Sequence, residues 1–141
     1  MGRILALDVG SKRVGIAVSD PGHLIATPLA VIAVSSYEKV GEEIVALCSR
    51  HEVETVVVGL PLRDDGSEGA SCKRSRRLGR VLKHFGLAME YWDERDTSRI
   101  AESVMREGGK RRRNSPELVD KIAAAIILKS YLESIPKPTF D

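Results

Sequence analysis

The sequence predicts an α/β protein: a five-stranded mixed sheet, its first three strands antiparallel, with helices on both faces. Three observations carry this. Two apolar runs, ILAL and VGIAV, flank VGSKR between Ile4 and Asp20, as in two antiparallel strands joined by a tight turn. Glu54 to Leu60, ETVVVGL, is a nearly continuous valine-rich run that suits a central strand covered on both sides. Between and beyond these runs apolar residues recur at helical spacing, giving the order β-β-β-α-β-α-β-α-α. Helical crossovers then set the later strands parallel to the first.

Asp8 ends the first strand immediately before the turn. A carboxylate is a poor strand former, and alternation places this one on the face of Ile4 and Ala6, extending an apolar row. Without a partner it would be costly there, and a cation is the simplest partner; capping of the turn is the plainer alternative. Asp20-Pro21-Gly22 makes the next turn, and His23 to Val34 forms the third strand, with Pro28 at a bend or an edge. Ser35 and Glu38 fit a capping box, after which Tyr37, Val40, Ile44, Leu47 and Cys48 follow a helical period. The valine-rich strand ends in the loop PLRDDGS, where ligands collect in open α/β sheets; Asp64 and Asp65 read there as turn formers. Glu68 to Phe85 is an amphipathic helix with Leu78, Val81, Leu82 and Phe85 as its stripe, stopped by Gly86. Leu87 to Trp92 is a short strand that runs into Asp93-Glu94-Arg95. Asp96, Thr97 or Ser98 caps a helix through Glu107, and Gly108-Gly109 begins a mobile basic linker. Ser115-Pro116-Glu117 opens the last helix, to about Ser134. Residues 1–134 read as one domain and residues 135–141 as a loose tail.

The net charge is only +2, but it is uneven. No acid lies between Ala70 and Met89, whereas Lys73, Arg74, Arg76, Arg77, Arg80 and Lys83 do; Lys110, Arg111, Arg112 and Arg113 form a second block. Such clustering points to a polyanion partner, against the plainer alternative of solvated faces. Cys48 and Cys72 form no CxxC, and His23, His51 and His84 show no ligand spacing. A zinc site and a disulfide framework are therefore not expected, and a reducing cytoplasm fits. No signal-peptide pattern opens the chain and no apolar run approaches the ~20 residues of a membrane span, so no membrane partner is expected.

Two further acids are anomalous. On the last helix Asp120 shares a face with Ala123, Ala124, Ile127 and Tyr131, so it points toward the sheet, and the small alanines permit close approach. Asp93 and Glu94 sit at the end of the final strand, and alternation allows only one of them to face the side of Asp8. Glu94 has the longer reach; Asp93 has the alternation argument if no bulge intervenes. Acids converging from three elements repel one another unless divalent cations lie among them, and magnesium or manganese prefers such oxygen ligands. Two such ions activate a water and stabilise the leaving oxygen in phosphodiester cleavage. No G-x-S-x-G, no Cys paired locally with His and no Walker A pattern is present.

Four blocks, DVGSKRVGIAVSD, VVVGLPLRDDGS, WDERDTSRIAE and VDKIAAAIILKSYLES, span Leu7 to Ser134 in order and resemble the YqgF/RuvX family. The resemblance implies an RNase H-like fold related to the resolvase RuvC, and a nuclease that processes the 5′ end of the small-subunit ribosomal RNA precursor. It implies Mg2+ or Mn2+ as cofactor, with Asp8, Glu94 and Asp120 catalytic and Asp8, Asp93, Glu94 and Asp120 as candidate metal ligands. Lys12, Arg13, Arg74, Arg77, Arg95, Arg111 and Arg112 are the expected nucleic-acid contacts, and the small ribosomal subunit is a candidate partner.

Three alternatives remain at this level. A Holliday junction resolvase would use the same chemistry on a four-way DNA junction, as a symmetric dimer. A non-catalytic RNA-binding module would need no acids. The hairpin from Asp8 to Gly15 also resembles the phosphate hairpin of actin- and hexokinase-like ATPases, but those need two such domains, more than 141 residues supply.

Overall fold

The computed structural model describes residues 2–94 and 115–138. The opening hairpin pairs β1 (Arg3–Val9) with β2 (Arg13–Ser19), and the Gly10 N–H donates to Arg13 O at 2.9 Å to close the turn. A third strand, β3 (Ala26–Ala33), pairs antiparallel to β2. Helix α1 (Tyr37–His51) then crosses to β4 (Val53–Leu60), and α2 (Ala70–His84) crosses from β4 to β5 (Met89–Asp93). Helix α3 (Pro116–Ser134) is the last. The sheet order is β3-β2-β1-β4-β5, with β1, β4 and β5 mutually parallel. The expected five-stranded mixed sheet with an antiparallel opening meander is the one observed.

Period-two alternation divides the core. Leu5, Leu7, Val9, Val56 and Val58 face α1 and α2, where they meet Val40, Ile44, Leu78 and Leu82. Ile4, Ala6, Ala17 and Val57 face α3, where they meet Ala124, Ile127, Leu128, Tyr131 and Leu132. Each large aliphatic side chain so buried contributes roughly 1.5–3 kcal/mol, which holds α3 to the sheet although its N-terminal part carries Glu117 and Asp120.

Element edges differ from expectation where side chains cap backbone. The third strand begins at Ala26, not His23, because Asp20 accepts the N–H groups of Gly22, Leu24 and Ile25 and rolls the chain into a loop. His23 stands in that loop at φ 56. Helix α1 is capped by Ser36, not Ser35: Ser36 is extended and accepts the Lys39 N–H at 3.2 Å. Helix α2 starts at Ala70 and β5 at Met89, each two residues inside the expected bound. Ser115 caps α3 as expected, accepting the Leu118 N–H. The helix expected over residues 96–107 and the linker after it lie outside the described residues. Of residues 135–138, Ile135 packs against the α3 core and Lys137 Nζ donates to Leu132 O and His23 O.

Gly15 fixes the depth at which α3 sits. A Cβ built on Gly15 would overlap the backbone carbonyl of Asp120, which cannot move without shifting the helix. Gly15→Ala is therefore expected to destabilise the fold by about 1–3 kcal/mol, the usual cost of overpacking. Urea unfolding that leaves the midpoint unchanged would show that α3 rides higher than described.

Candidate active site

β1, β4 and β5 run parallel, so their C-terminal ends form one rim, and the α3 face of that rim gathers the acids. Asp8 is the penultimate residue of β1 and pairs in register with Gly15 of β2. The contact of α3 with Gly15 sets Asp120 beside that pair. On the other side, Leu7 lies opposite Val58, and the ladder continues to bring Gly59 level with Asp8. A Cβ on Gly59 would run into the Glu94 carboxylate and lie 2.8 Å from Ile127 Cδ1. Glu94 thus lies across β4 toward Asp8, beneath α3. Its N–H donates to Leu60 O at 3.3 Å, which continues the ladder one residue past β5.

The structure separates Asp93 from Glu94. Glu90 bonds to Tyr131 of α3, and Trp92 donates from Nε1 to Ser130 Oγ, so the row Glu90, Trp92, Glu94 faces α3. Asp93 continues the row of Met89 and Tyr91 and is exposed, whereas Glu94 is only 6% exposed. Alternation along β5 therefore favours Glu94 and not Asp93, because Trp92 rather than Tyr91 shares the face of Asp8. Asp93 still acts on the cluster through its charge.

Burial and mutual repulsion govern the electrostatics. Burial, then the charge of Asp120, pushes Asp8 up to about 6. Burial, then the charges of Asp8 and Asp93, pushes Glu94 up to about 8. Asp8 is the link, since it senses Asp120 and is sensed by Glu94. Asp120 is held otherwise: Arg13 Nε donates to its Oδ2 at 2.7 Å, with the two side chains 33% and 21% exposed. Arg13, expected as a phosphate contact, is thus the counter-ion of an acid 107 residues away in sequence.

The donor set fits a hard divalent cation. Buried Glu94 and half-buried Asp8 carry raised pKa values that nearby acids augment and that no cation among the described residues offsets. Among the described residues no three His, Cys, Asp or Glu side chains are already grouped about one point, and the Arg13 pair accounts for the third acid. Loading the site would require Asp120 to exchange Arg13 for the shared centre.

The other expected contacts divide. Lys12 is exposed in the hairpin turn. Arg77 stacks over the Tyr37 ring, 5.3 Å to its centroid, and the Tyr37 hydroxyl donates to Gly10 O, tying α1 and α2 to the same hairpin. Arg74 donates to Ser71 Oγ, and its buried Nε has no partner among the described residues. Arg95, Arg111 and Arg112 lie outside the described residues. In the PLRDDGS loop Asp65 accepts the Ser67 N–H at 2.9 Å, a turn-forming bond. Sequence reasoning missed Gly15, Gly59 and Tyr37. The glycines carried a readable signal, since glycine inside an apolar strand marks close approach of something large.

Among the described residues no helix is long and apolar enough to cross a membrane. A family model described as "RuvX: Holliday junction resolvase" matches residues 2–134. A protein of Clostridium botulinum (strain Eklund 17B / Type B), named "Putative pre-16S rRNA nuclease", is 38% identical over 136 residues, covering 96% of this chain and 99% of the relative. One of the same name from Lactococcus lactis subsp. lactis (strain IL1403) is 41% identical over 139 residues, covering 94% of each. Among solved structures, Thermus thermophilus RuvC in complex with a Holliday junction substrate matches with a TM-score of 0.57 at 13% identity, covering 98% of this chain and 100% of that one. The fowlpox virus Holliday junction resolvase matches with a TM-score of 0.57 at 16% identity, covering 94% and 99%. These two likenesses establish the RNase H-like fold, and the near-complete match to the family model establishes the rest: this chain belongs to the RuvX family.

Proposed function

We propose that this chain is a metal-dependent nuclease that hydrolyses phosphodiester bonds at the 5′ end of pre-16S rRNA, in the cytoplasm, during assembly of the small ribosomal subunit. The observation that carries this is the carboxylate pair of half-buried Asp8 and buried Glu94, with Asp120 brought beside Asp8 by α3. The names of the sequence relatives support the RNA substrate. The catalytic domain is residues 1–134.

Asp8, Glu94 and Asp120 would hold magnesium or manganese, which supplies an activated water and neutralises the leaving oxygen. Asp8, on the rigid end of a central strand, sets the position of the scissile phosphate. Glu94, beneath α3, keeps one side of the centre closed to bulk water. Arg13 holds Asp120 until that carboxylate turns inward, and its freed guanidinium then faces a substrate phosphate. Lys12 and Arg77 flank the same hairpin and steady the strand on either side of the cut. The family description favours one competing substrate, a four-way DNA junction.

Cleavage of a pre-16S 5′ fragment and of a four-way junction, each with added magnesium, separates the two. The expected result is RNA cleavage, lowered on the order of 10²–10³-fold or more by Asp8→Asn and by Asp120→Asn. Symmetric junction cuts with intact RNA would replace the RNA reading, and full activity in both variants would end the catalytic assignment.

Arg13→Gln should tighten magnesium binding a few-fold in calorimetry, because a competing counter-ion of modest strength is gone. Weaker binding would mean that Arg13 supports the geometry of Asp120 instead of competing for it.

In metal-free protein the folded chain keeps protons on Asp8 and Glu94 that the unfolded chain, near 3.8 and 4.5, has released. That stabilisation is full below the unfolded values and is lost as pH rises through about 6 and about 8. Thermal melts in chelator should therefore show Asp8→Asn gaining on wild type from pH 5 to 8, and magnesium should narrow the gap. A constant gap across that range would contradict the described burial.

A further inference from the structure

The cationic face of α2 extends well beyond the acids. Lys73, Arg77, Arg80 and His84 are all exposed on α2 at spacings of four, three and four residues, so they stand on one face. At about 1.5 Å rise per residue the row is about 16 Å long, in steps of roughly 5–6 Å. At its far end Phe85 is 41% exposed, among the few large apolar side chains so open in the described residues. The ring is not loose. A Cβ on Gly41 of α1 would lie 2.8 Å from Phe85 Cε2, so one edge of the ring is seated on α1 while the rest of the side chain supplies its exposure. The His84 ring stands edge-on to it, centroids 6.0 Å apart. Between the two helices runs a groove of about 470 Å³ lined by Glu38, Arg77, Arg80, Val81, His84 and Phe85. Other cations of α2 are engaged elsewhere: Arg76 pairs with Glu68 and, like Lys83, lies over Tyr91.

We infer that the α1–α2 groove is a second binding site, for a single-stranded nucleic-acid segment whose phosphates follow Lys73, Arg77 and Arg80 and whose terminal base stacks on Phe85. Charge complementarity selects a polyanion, since Glu38 is the one acid among the described residues that line the groove. The fixed open ring selects an unpaired base, because a duplex offers no free face to stack. The row starts at the N-terminal end of α2, near the rim that bears the acids, and Arg77 reaches the Asp8 hairpin through Tyr37 and Gly10. The groove therefore reads an unpaired stretch a few nucleotides from the cut. This rests on the nuclease reading for its substrate and deepens it, by requiring a single-stranded flank.

The test is fluorescence anisotropy of the full chain with labelled single-stranded oligoribonucleotides and a duplex of equal length, in chelator so that nothing is cut. Phe85→Leu keeps an apolar side chain on Gly41 but removes the ring, and thermal melts report its folding. It should weaken single-strand binding about 5-fold or more and leave duplex binding unchanged. Arg80→Gln should lower the slope of log affinity against log salt by about 0.7. An abasic oligonucleotide should bind wild type and Phe85→Leu alike. Single-strand affinities within twofold of wild type in both variants would overturn the inference. So would equal losses on duplex, or an acidic peptide that binds more tightly than RNA through the same residues. Failure here with cleavage intact sinks the groove alone; groove binding without any cleavage sinks the nuclease reading alone.

Discussion

The close seating of α3 on the strand glycines is the contact on which the rest of the molecule depends. Gly15 lets the helix backbone at Asp120 press against β2, and Gly59 leaves room for the Glu94 side chain under Ile127. A side chain at either position would lift the helix or evict the carboxylate. The row of Ala124, Ile127, Leu128 and Tyr131 supplies the attraction that keeps α3 down. One packing event thereby sets Asp120 beside Asp8 and covers Glu94, without yet grouping the three acids about one point.

That arrangement is electrostatically unfavourable in the absence of cations. Carboxylates drawn out of water that sense one another hold protons more tightly, as half-buried Asp8 and buried Glu94 do. The apolar core on the other side of the sheet, from Leu5 through Leu82, carries the stability that the rim gives up. Arg13 relieves only Asp120, and only through a partly exposed pair, so the relief is small and reversible. The rim is thus poised to accept positive charge, while the sheet beneath it stays rigid.

Much of this was legible in the chain. The period of two in β1 placed Asp8 on the face of Ile4 and Ala6, and the helical period placed Asp120 with Ala124 and Ile127; both placements depend only on local geometry. The side of Asp93 and Glu94 was not legible, because the parity of β5 is fixed by Trp92 meeting Ser130 and Tyr131 on a helix far along the sequence. The Arg13–Asp120 pair was hidden for the same reason. The starts of β3 and α1 shifted because Asp20 and Ser36 bond to backbone amides, and several neighbouring residues could have served equally well on composition alone. Gly15 and Gly59 could have been flagged, but what approaches them could not.

The chain order of the acids has a consequence for how the protein comes into being. β1, with Asp8, leaves the ribosome early, and α3, with Asp120, leaves late, after every strand of the sheet. Domains condense during synthesis at a pace set by elongation, so the sheet can form while the rim still lacks its helix. A nascent chain therefore brings Asp120 to the rim beside Asp8 only when α3 docks, after the strands before it have emerged.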